Sequence, residues 1–320
     1  MTERGVRAAL FFFLALGTLQ ASNYFVTIAG LGGTPEYETQ FKQWAAAMDK
    51  ALRTNGADCH VETLSGPAAT RQAIRQTLGR MAAEAKPEDA FALMLIGHGT
   101  YDSAEYKFNI PGPDITAEEL GSLLGRIQAG RQLVVNMTSA SGASLAVLAK
   151  KNRVVITATK SGTEKNATVF ARYWLDALQN ATADTDKNGT VSALEAFRYS
   201  QSKTAAYFQQ EKLLATEHAM LDDTGSKTGI RDAGPSASAA GGDARQGLLA
   251  AAFPVIRPPG EAAVVQQNPA KQKLLAKKEQ LEAAIDRLKY EKAAMPADEY
   301  KKQLSALLLQ LAKTQQEIDQ

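Results

Sequence analysis

The chain has 320 residues, 45% apolar, 22% charged and 7% aromatic, with 36 Lys+Arg against 34 Asp+Glu. These fractions exclude a wholly disordered or collagen-like chain, and the length suffices for a full core without disulfide or metal staples. A formal charge of +2 gives no net field toward nucleic acid or an anionic membrane, and the single cysteine, Cys59, excludes an internal disulfide. Cys59 lies in the apolar-leaning run Asp58 to Leu64 and reads as a buried strand thiol.

The N-terminus has the layout of an export signal over residues 1–21. Arg4 and Arg7 precede the apolar run Ala8 to Leu19, and small residues follow at Ala21 and Ser22. The run is short for a membrane span. Cleavage after Ala21 is expected, with retention as a membrane anchor as the alternative, and no cysteine follows for lipid attachment. The mature protein is therefore expected to be periplasmic or secreted.

An alternation of strands and helices follows. Tyr24 to Ala29 is a β-rich run ended by Gly30-Leu31-Gly32-Gly33, and Phe41, Trp44, Met48 and Leu52 recur at helical spacing from Glu38. Asp58 to Leu64 reads as a second strand and Thr70 to Ala83 as a second helix. Ala90 to Ile96 is almost continuously apolar, as a strand covered on both faces should be. A helix from Thr116 to Ala129 has Thr116 and Glu119 at capping-box spacing. Gln132 to Val135 and Arg153 to Ala158 are further strands, separated by a short helix from Ala143 to Lys151; Thr168 to Gln179 is helical again. The alternation predicts a three-layer α/β/α sandwich with a mainly parallel sheet.

Residues 225–270 are rich in Gly, Ala, Ser and Pro and read as a linker, within which 247–256 is apolar enough to return to the core as an edge segment. Beyond Pro269, Leu274, Leu281, Ile285 and Leu288 mark one helical stripe. Leu304, Leu308, Leu311 and Ile318 mark a second, with Pro296 between them at the start of the second helix. An α-helical hairpin over 271–320 is expected, either packed on the main domain or self-associating as a short coiled coil.

Ligands of a parallel sheet sit beyond the carboxyl ends of its strands. One such end runs into Gly97-His98-Gly99, the next into Asn136-Met137-Thr138-Ser139-Ala140-Ser141-Gly142. An imidazole between glycines, beside free backbone N–H groups and a small hydroxyl-bearing loop, suits a general base next to an oxyanion site. These two motifs, in this order and strand context, resemble the caspase-like clan of cysteine peptidases, and most of all the legumain family. The resemblance spans about Tyr24 to Gln179. It implies a caspase-like domain over 22–224, with His98-Gly99 as the histidine motif and Ser139 where the clan has its cysteine, and with Met137 where an acidic residue is common. A serine hydroxyl needs a positioned base oriented by a third group, whereas the clan's thiolate does not. Ser139 with His98 is accordingly read as a catalytically silent pair. The alternative is an active secreted endopeptidase with Ser139 as nucleophile, His98 as base, and the Gly99 and Ser139 N–H groups as oxyanion donors.

Gly30-x-Gly32-Gly33 lacks the third glycine of a dinucleotide fingerprint, Pro35 standing there, and is explained by a tight strand-to-helix turn. The sharpest motif is Asp184 to Glu195, which fills every constrained position of a twelve-residue EF-hand loop. Asp184, Asp186 and Asn188 stand at positions 1, 3 and 5 and Gly189 makes the turn. Thr190 offers its carbonyl, Ser192 acts directly or through water, and Glu195 closes the site. The expected cofactor is a structural Ca2+; the alternative is a metal-free turn capping the following helix. Asp222-Asp223 is expected to be a solvated turn, His218 to face solvent, and His60 to pack at the sheet. Two functions remain open: a non-catalytic exported interaction module with a protein or peptide partner, or a secreted peptidase. Nucleic acid is not expected as a partner, and the membrane only if the signal is retained.

Overall fold

Ala90–Ile96 (β3) is buried along its whole length, an environment found only in the middle of a sheet with helices on both faces. The strands around it are Asn23–Ala29 (β1), Cys59–Leu64 (β2), Arg131–Asn136 (β7), Arg153–Thr157 (β8) and Met220–Asp222 (β10), in the order β2-β1-β3-β7-β8-β10. All neighbours are parallel except β10, which closes the sheet antiparallel on β8. The computed structural model describes residues 21–56, 58–232, 246–257, 269–292 and 295–319. The signal segment before Ala21 and the linker stretches 233–245 and 258–268 lie outside the described residues. The architecture is a mixed α/β three-layer sandwich with a mainly parallel central sheet, nine helices among the described residues and a C-terminal helical hairpin.

Alternation along β3 divides the core in two. Ala92, Met94 and Ile96 join Phe41, Met48, Trp174 and Phe197 from helices Pro35–Leu52 (α1), Phe170–Gln179 (α5) and Ala193–Gln210 (α6). Phe91, Leu93 and Leu95 join Ile74, Leu78, Leu120 and Leu124 from Arg71–Glu84 (α2) and Ala117–Gly125 (α3). Helix α1 begins earlier than the apolar spacing alone indicates. Thr34 caps it and Pro35 takes its first turn, where a missing N–H costs nothing. The preceding glycines serve this turn: a Cβ on Gly32 would lie 2.2 Å from the Glu38 nitrogen, and Gly33 has φ +73°. The helix after β7 shrinks to Leu145–Leu148 (α4). A small antiparallel sheet of Gly99–Tyr101 (β4), Tyr106–Phe108 (β5) and Ile115–Thr116 (β6) extends from the end of β3; its strands are too short to register as periodic patterns.

The segment Leu248–Ala251 (α7) and Pro254–Ile256 (β11) packs back on the domain, β11 pairing antiparallel with Val191–Ser192 (β9). Asp222 and Asp223 organise this return and are fully buried, which corrects the expectation of a solvated turn. Asp222 accepts from the N–H groups of Thr224, Gly225 and Lys227, while Asp223 accepts from Gly247 at 2.9 Å and Ala250 at 3.0 Å. Backbone donors replace the water a buried carboxylate would otherwise need. His60 packs at the sheet as expected, its ring stacking on Tyr24 of β1 with centroids 4.9 Å apart, while its position on the edge strand β2 leaves it exposed. In the hairpin, Leu281, Ile285 and Leu288 of Pro269–Glu291 (α8) are buried. Leu308 of Ala297–Asp319 (α9) is 48% exposed and does not belong to the inward stripe, whose place Leu307 takes. No helix among the described residues is long and apolar enough to cross a membrane.

Asp223→Ala strips two buried N–H groups of their acceptor and is expected to cost about 1–3 kcal/mol of stability, measured by denaturant unfolding. Protease sensitivity of the 246–257 segment should rise with it.

Candidate functional site

Three carboxyl strand ends converge beside β4. His98 follows β3, and its ring is held edge-on by Tyr37 and Phe41 of α1, with centroids 5.1 and 5.3 Å away. Its Nε2 lies 3.0 Å from the carbonyl of Gly32. A carbonyl only accepts, so Nε2 carries the proton and Nδ1 is the ring's basic nitrogen. The imidazole is thereby anchored to the β1–α1 turn.

Ser139 follows β7 and is 2% exposed. Its hydroxyl accepts from the Gly99 N–H and donates to the Gly99 carbonyl, both at 3.0 Å. The structure thus brings Ser139 onto the His98-Gly99 segment, but both contacts go to the Gly99 peptide. The Gly99 N–H, expected as an oxyanion donor, is engaged by the Ser139 oxygen itself. Gly99 must be glycine here: a Cβ would sit 2.4 Å from the Tyr106 ring and 2.5 Å from the Ser139 carbonyl oxygen.

Below this contact lies a buried hydroxyl network. Thr138 Oγ1 is 2.6 Å from the Tyr106 hydroxyl and 2.8 Å from Asn136 Oδ1, and Asn136 Nδ2 donates to Ser144 at 3.0 Å. Burial pushes the Tyr106 phenol up to about 12. On the other side Ser141 and Gly142 are bound by Thr159, and a Cβ on Gly142 would strike the Lys160–Ser161 peptide 2.2–2.3 Å away. Ala140 adopts the left-handed φ of +55°, unusual for a residue with a side chain, and its N–H donates to the Glu164 carbonyl at 2.7 Å. Met137, at the position where an acidic residue is common in the clan, is fully buried in the core.

A second histidine joins the same rim. His218 is half-buried instead of facing solvent, because its Nδ1 is hydrogen-bonded to Glu164, whose carboxylate also accepts the Lys160 N–H at 2.8 Å. Its neighbour Glu217 is buried and accepts from the Val169 N–H at 2.6 Å and the Phe170 N–H at 3.1 Å, at the start of α5. Desolvation outweighs these donors and, with the Glu164 charge adding to it, raises the Glu217 carboxyl to about 7. Glu164 stands 54 residues before His218, so only the fold makes them neighbours. Cys59, on the outer strand, is remote from the site; burial pushes its thiol up to about 12, where it is not a nucleophile.

The acidic loop forms a separate centre. Ligand atoms of Asp184, Asp186 and Glu195 lie within 4.8 Å of one another. Asp184 accepts from the N–H groups of Asn188 and Gly189, and Asn188 Oδ1 accepts from the Thr190 N–H. Gly189 turns the chain with φ +89°. Glu195 Oε1 accepts from the Thr185 N–H at 2.8 Å, and its Oε2 forms a capping box with Ser192 at 2.9 Å. Burial and the neighbouring carboxylates of Glu195 and Asp184 raise the Asp186 carboxyl above its ordinary value. The clustered carboxylate oxygens could hold a metal ion, and the capping box serves the start of α6 with or without one.

No protein-family model matches the chain, and no curated protein matches it. Among solved structures it is similar to a structural-genomics protein from Geobacter sulfurreducens, at 14% identity and TM-score 0.44 over 63% of this chain and 92% of that one. It is also similar to the Drosophila initiator caspase Dronc, at 7% identity and TM-score 0.40 over 65% and 82%. A third likeness is to Raptor of Chaetomium thermophilum, at 14% identity and TM-score 0.36 over 51% of this chain but only 19% of that one. A caspase thus stands among the neighbours of this α/β architecture, which itself rests on the strand order.

Because the folded-state pKa of Glu217 lies above its unfolded value, its favourable contribution is complete below about pH 4.5 and lost as pH rises through about 7. Between pH 5 and pH 8 the wild type is expected to lose roughly 3 kcal/mol relative to Glu217→Gln, read from thermal unfolding at a series of pH values.

Proposed function

We propose that the chain is a catalytically silent homologue of caspase- and legumain-like peptidases, exported and acting as a protein-binding module. The observation that carries this reading is the closure of the Ser139 hydroxyl on both polar groups of the Gly99 peptide. Nucleophilic attack needs an oxygen that faces a substrate carbonyl and passes its proton to a base. Here the proton goes to a carbonyl, a lone pair goes to the N–H that would hold an oxyanion, and 2% exposure leaves no face for a substrate. The His98 Nε2 proton goes to the Gly32 carbonyl, which orients the ring and leaves Nδ1 as its accepting nitrogen, so the silent reading rests on Ser139. Tyr37 and Phe41 make the imidazole a structural wedge between β3 and α1.

The proposal includes a structural calcium ion in the loop 184–195. Asp184, Asp186, Asn188 and Glu195 would hold it with side-chain oxygens, Thr190 with its carbonyl, and Ser192 directly or through water. A dication would offset the mutual repulsion of three crowded carboxylates. The pairing of β9 with β11 already fixes the second half of the loop.

A fluorophosphonate probe is expected to leave the protein unlabelled at Ser139, as followed by mass spectrometry. Labelling that disappears in Ser139→Ala would overturn the silent reading. Calcium titration by calorimetry should give a single site whose affinity drops at least tenfold in Glu195→Gln; absence of heat in the wild type removes the metal.

A further inference from the structure

One lysine of the hairpin stands where its helix is otherwise apolar. Helix α8 carries the stripe Leu274, Leu281, Ile285 and Leu288, the last three of them buried, and Lys278 falls on that stripe, four residues after Leu274 and three before Leu281. Its side chain is only 17% exposed. A lysine is seldom placed so unless a partner receives its ammonium group. Here Nζ donates at 3.4 Å to the carbonyl of Asn188, inside the acidic loop.

The lysine contact and the candidate ligand set share one residue. Asn188 stands at the fifth loop position, where its side-chain oxygen would face the ion, and its own carbonyl holds the lysine. Asp186, Asn188 and Glu195 line a cavity of about 210 Å3 together with Pro254 of β11 and Glu282 of α8. Glu282 follows Lys278 by one helical turn and lies 3.9 Å from its Nζ, which keeps the ammonium at this wall. Arg198 lines the cavity too, but it belongs to α6, so its charge is present whether or not the hairpin is docked. A dication in the loop offsets the carboxylate charge that favours an ammonium nearby, and it also repels that ammonium directly. Both effects have the same sign.

We propose that Lys278 is a tethered cation that competes with calcium for the acidic loop, so that filling the loop loosens α8 from the domain. The inference rests on the calcium reading above and adds its control. By linkage, the factor by which the docked lysine weakens calcium is also the factor by which calcium weakens the docked lysine. The hairpin is then a calcium-released arm, and the β9–β11 ladder, which does not involve Lys278, keeps the root of the arm attached.

Calorimetric titration of the full chain with calcium chloride, in the wild type, Lys278→Met and Lys278→Arg, tests it. Lys278→Met keeps an unbranched stem and should raise calcium affinity about fivefold, whereas Lys278→Arg keeps the charge and should stay near the wild type. Amide exchange along 273–291, followed by mass spectrometry, should quicken in the wild type on saturation with calcium and should not respond in Lys278→Met. Calcium binding with equal affinity in the wild type and Lys278→Met overturns the proposal and leaves the calcium site standing, as does an equal gain in Lys278→Arg. Unchanged or slower exchange of α8 in the calcium-saturated wild type has the same force, and decides alone if Lys278→Met does not fold. Heat in Lys278→Met but not in the wild type supports the proposal, the lysine then excluding the ion outright. Absence of heat in all three proteins removes the ion and this inference with it.

Discussion

The Ser139 hydroxyl, bonded in both directions to the Gly99 peptide, ties the end of β7 to the end of β3 and determines what the carboxyl face of the sheet can do. A hydroxyl suits this role because it donates and accepts strongly at hydrogen-bond length, whereas a thiol is a weak donor and acceptor. Everything around the contact is shaped to it. Gly99 has no room for a side chain, Tyr106 closes one flank, and the Thr138–Asn136–Ser144 network supports the loop from below. The two strand ends thus meet in a stapled and buried junction.

The same preference for backbone partners governs other buried charges. Glu217 holds the start of α5, Asp223 holds α7, and Arg153 takes the last carbonyl of α4 and an amide oxygen. A charged group bonded to peptide groups pins a loop to a helix end in one geometry, which two flexible side chains in an ion pair do not. Loops joining the strand ends are therefore fixed by carboxylates, while the more exposed ion pairs on α2, such as Arg75 with Glu119, contribute little.

Much of this architecture is legible in the residues. The continuous apolar run of β3, the alternation of strand and helix spacings, and Gly-His-Gly at a strand end follow from local chemistry. So do the fully occupied positions of the acidic loop. What is not legible is long-range or too short to be periodic. Strands β4 to β6 have two or three residues each. The Glu164–His218 contact joins positions far apart in sequence, and nothing in the pair Asp222-Asp223 announces that a distant segment will fold over it. Composition read that pair as solvated because isolated acidic turns usually are; here the chain supplies the donors from 24 and 27 residues further on. On α9 the periodic stripe named Leu308, but its immediate neighbour Leu307 faces inward, a displacement of one position that a short repeat does not resolve.

The ladder between β9 and β11 has a mechanical meaning. Ser192 is opposite Pro254 and the Ala193 N–H donates to the Phe253 carbonyl at 2.8 Å, so the chain that leads to the hairpin is moored to the final residues of the acidic loop. Tension applied at the C-terminal helices reaches that mooring before it reaches the central sheet. The loop, together with Asn55, which is bonded to Arg257 and Val255, is among the first parts of the domain to register a pull on its tail, and whatever stiffens it also strengthens the tether.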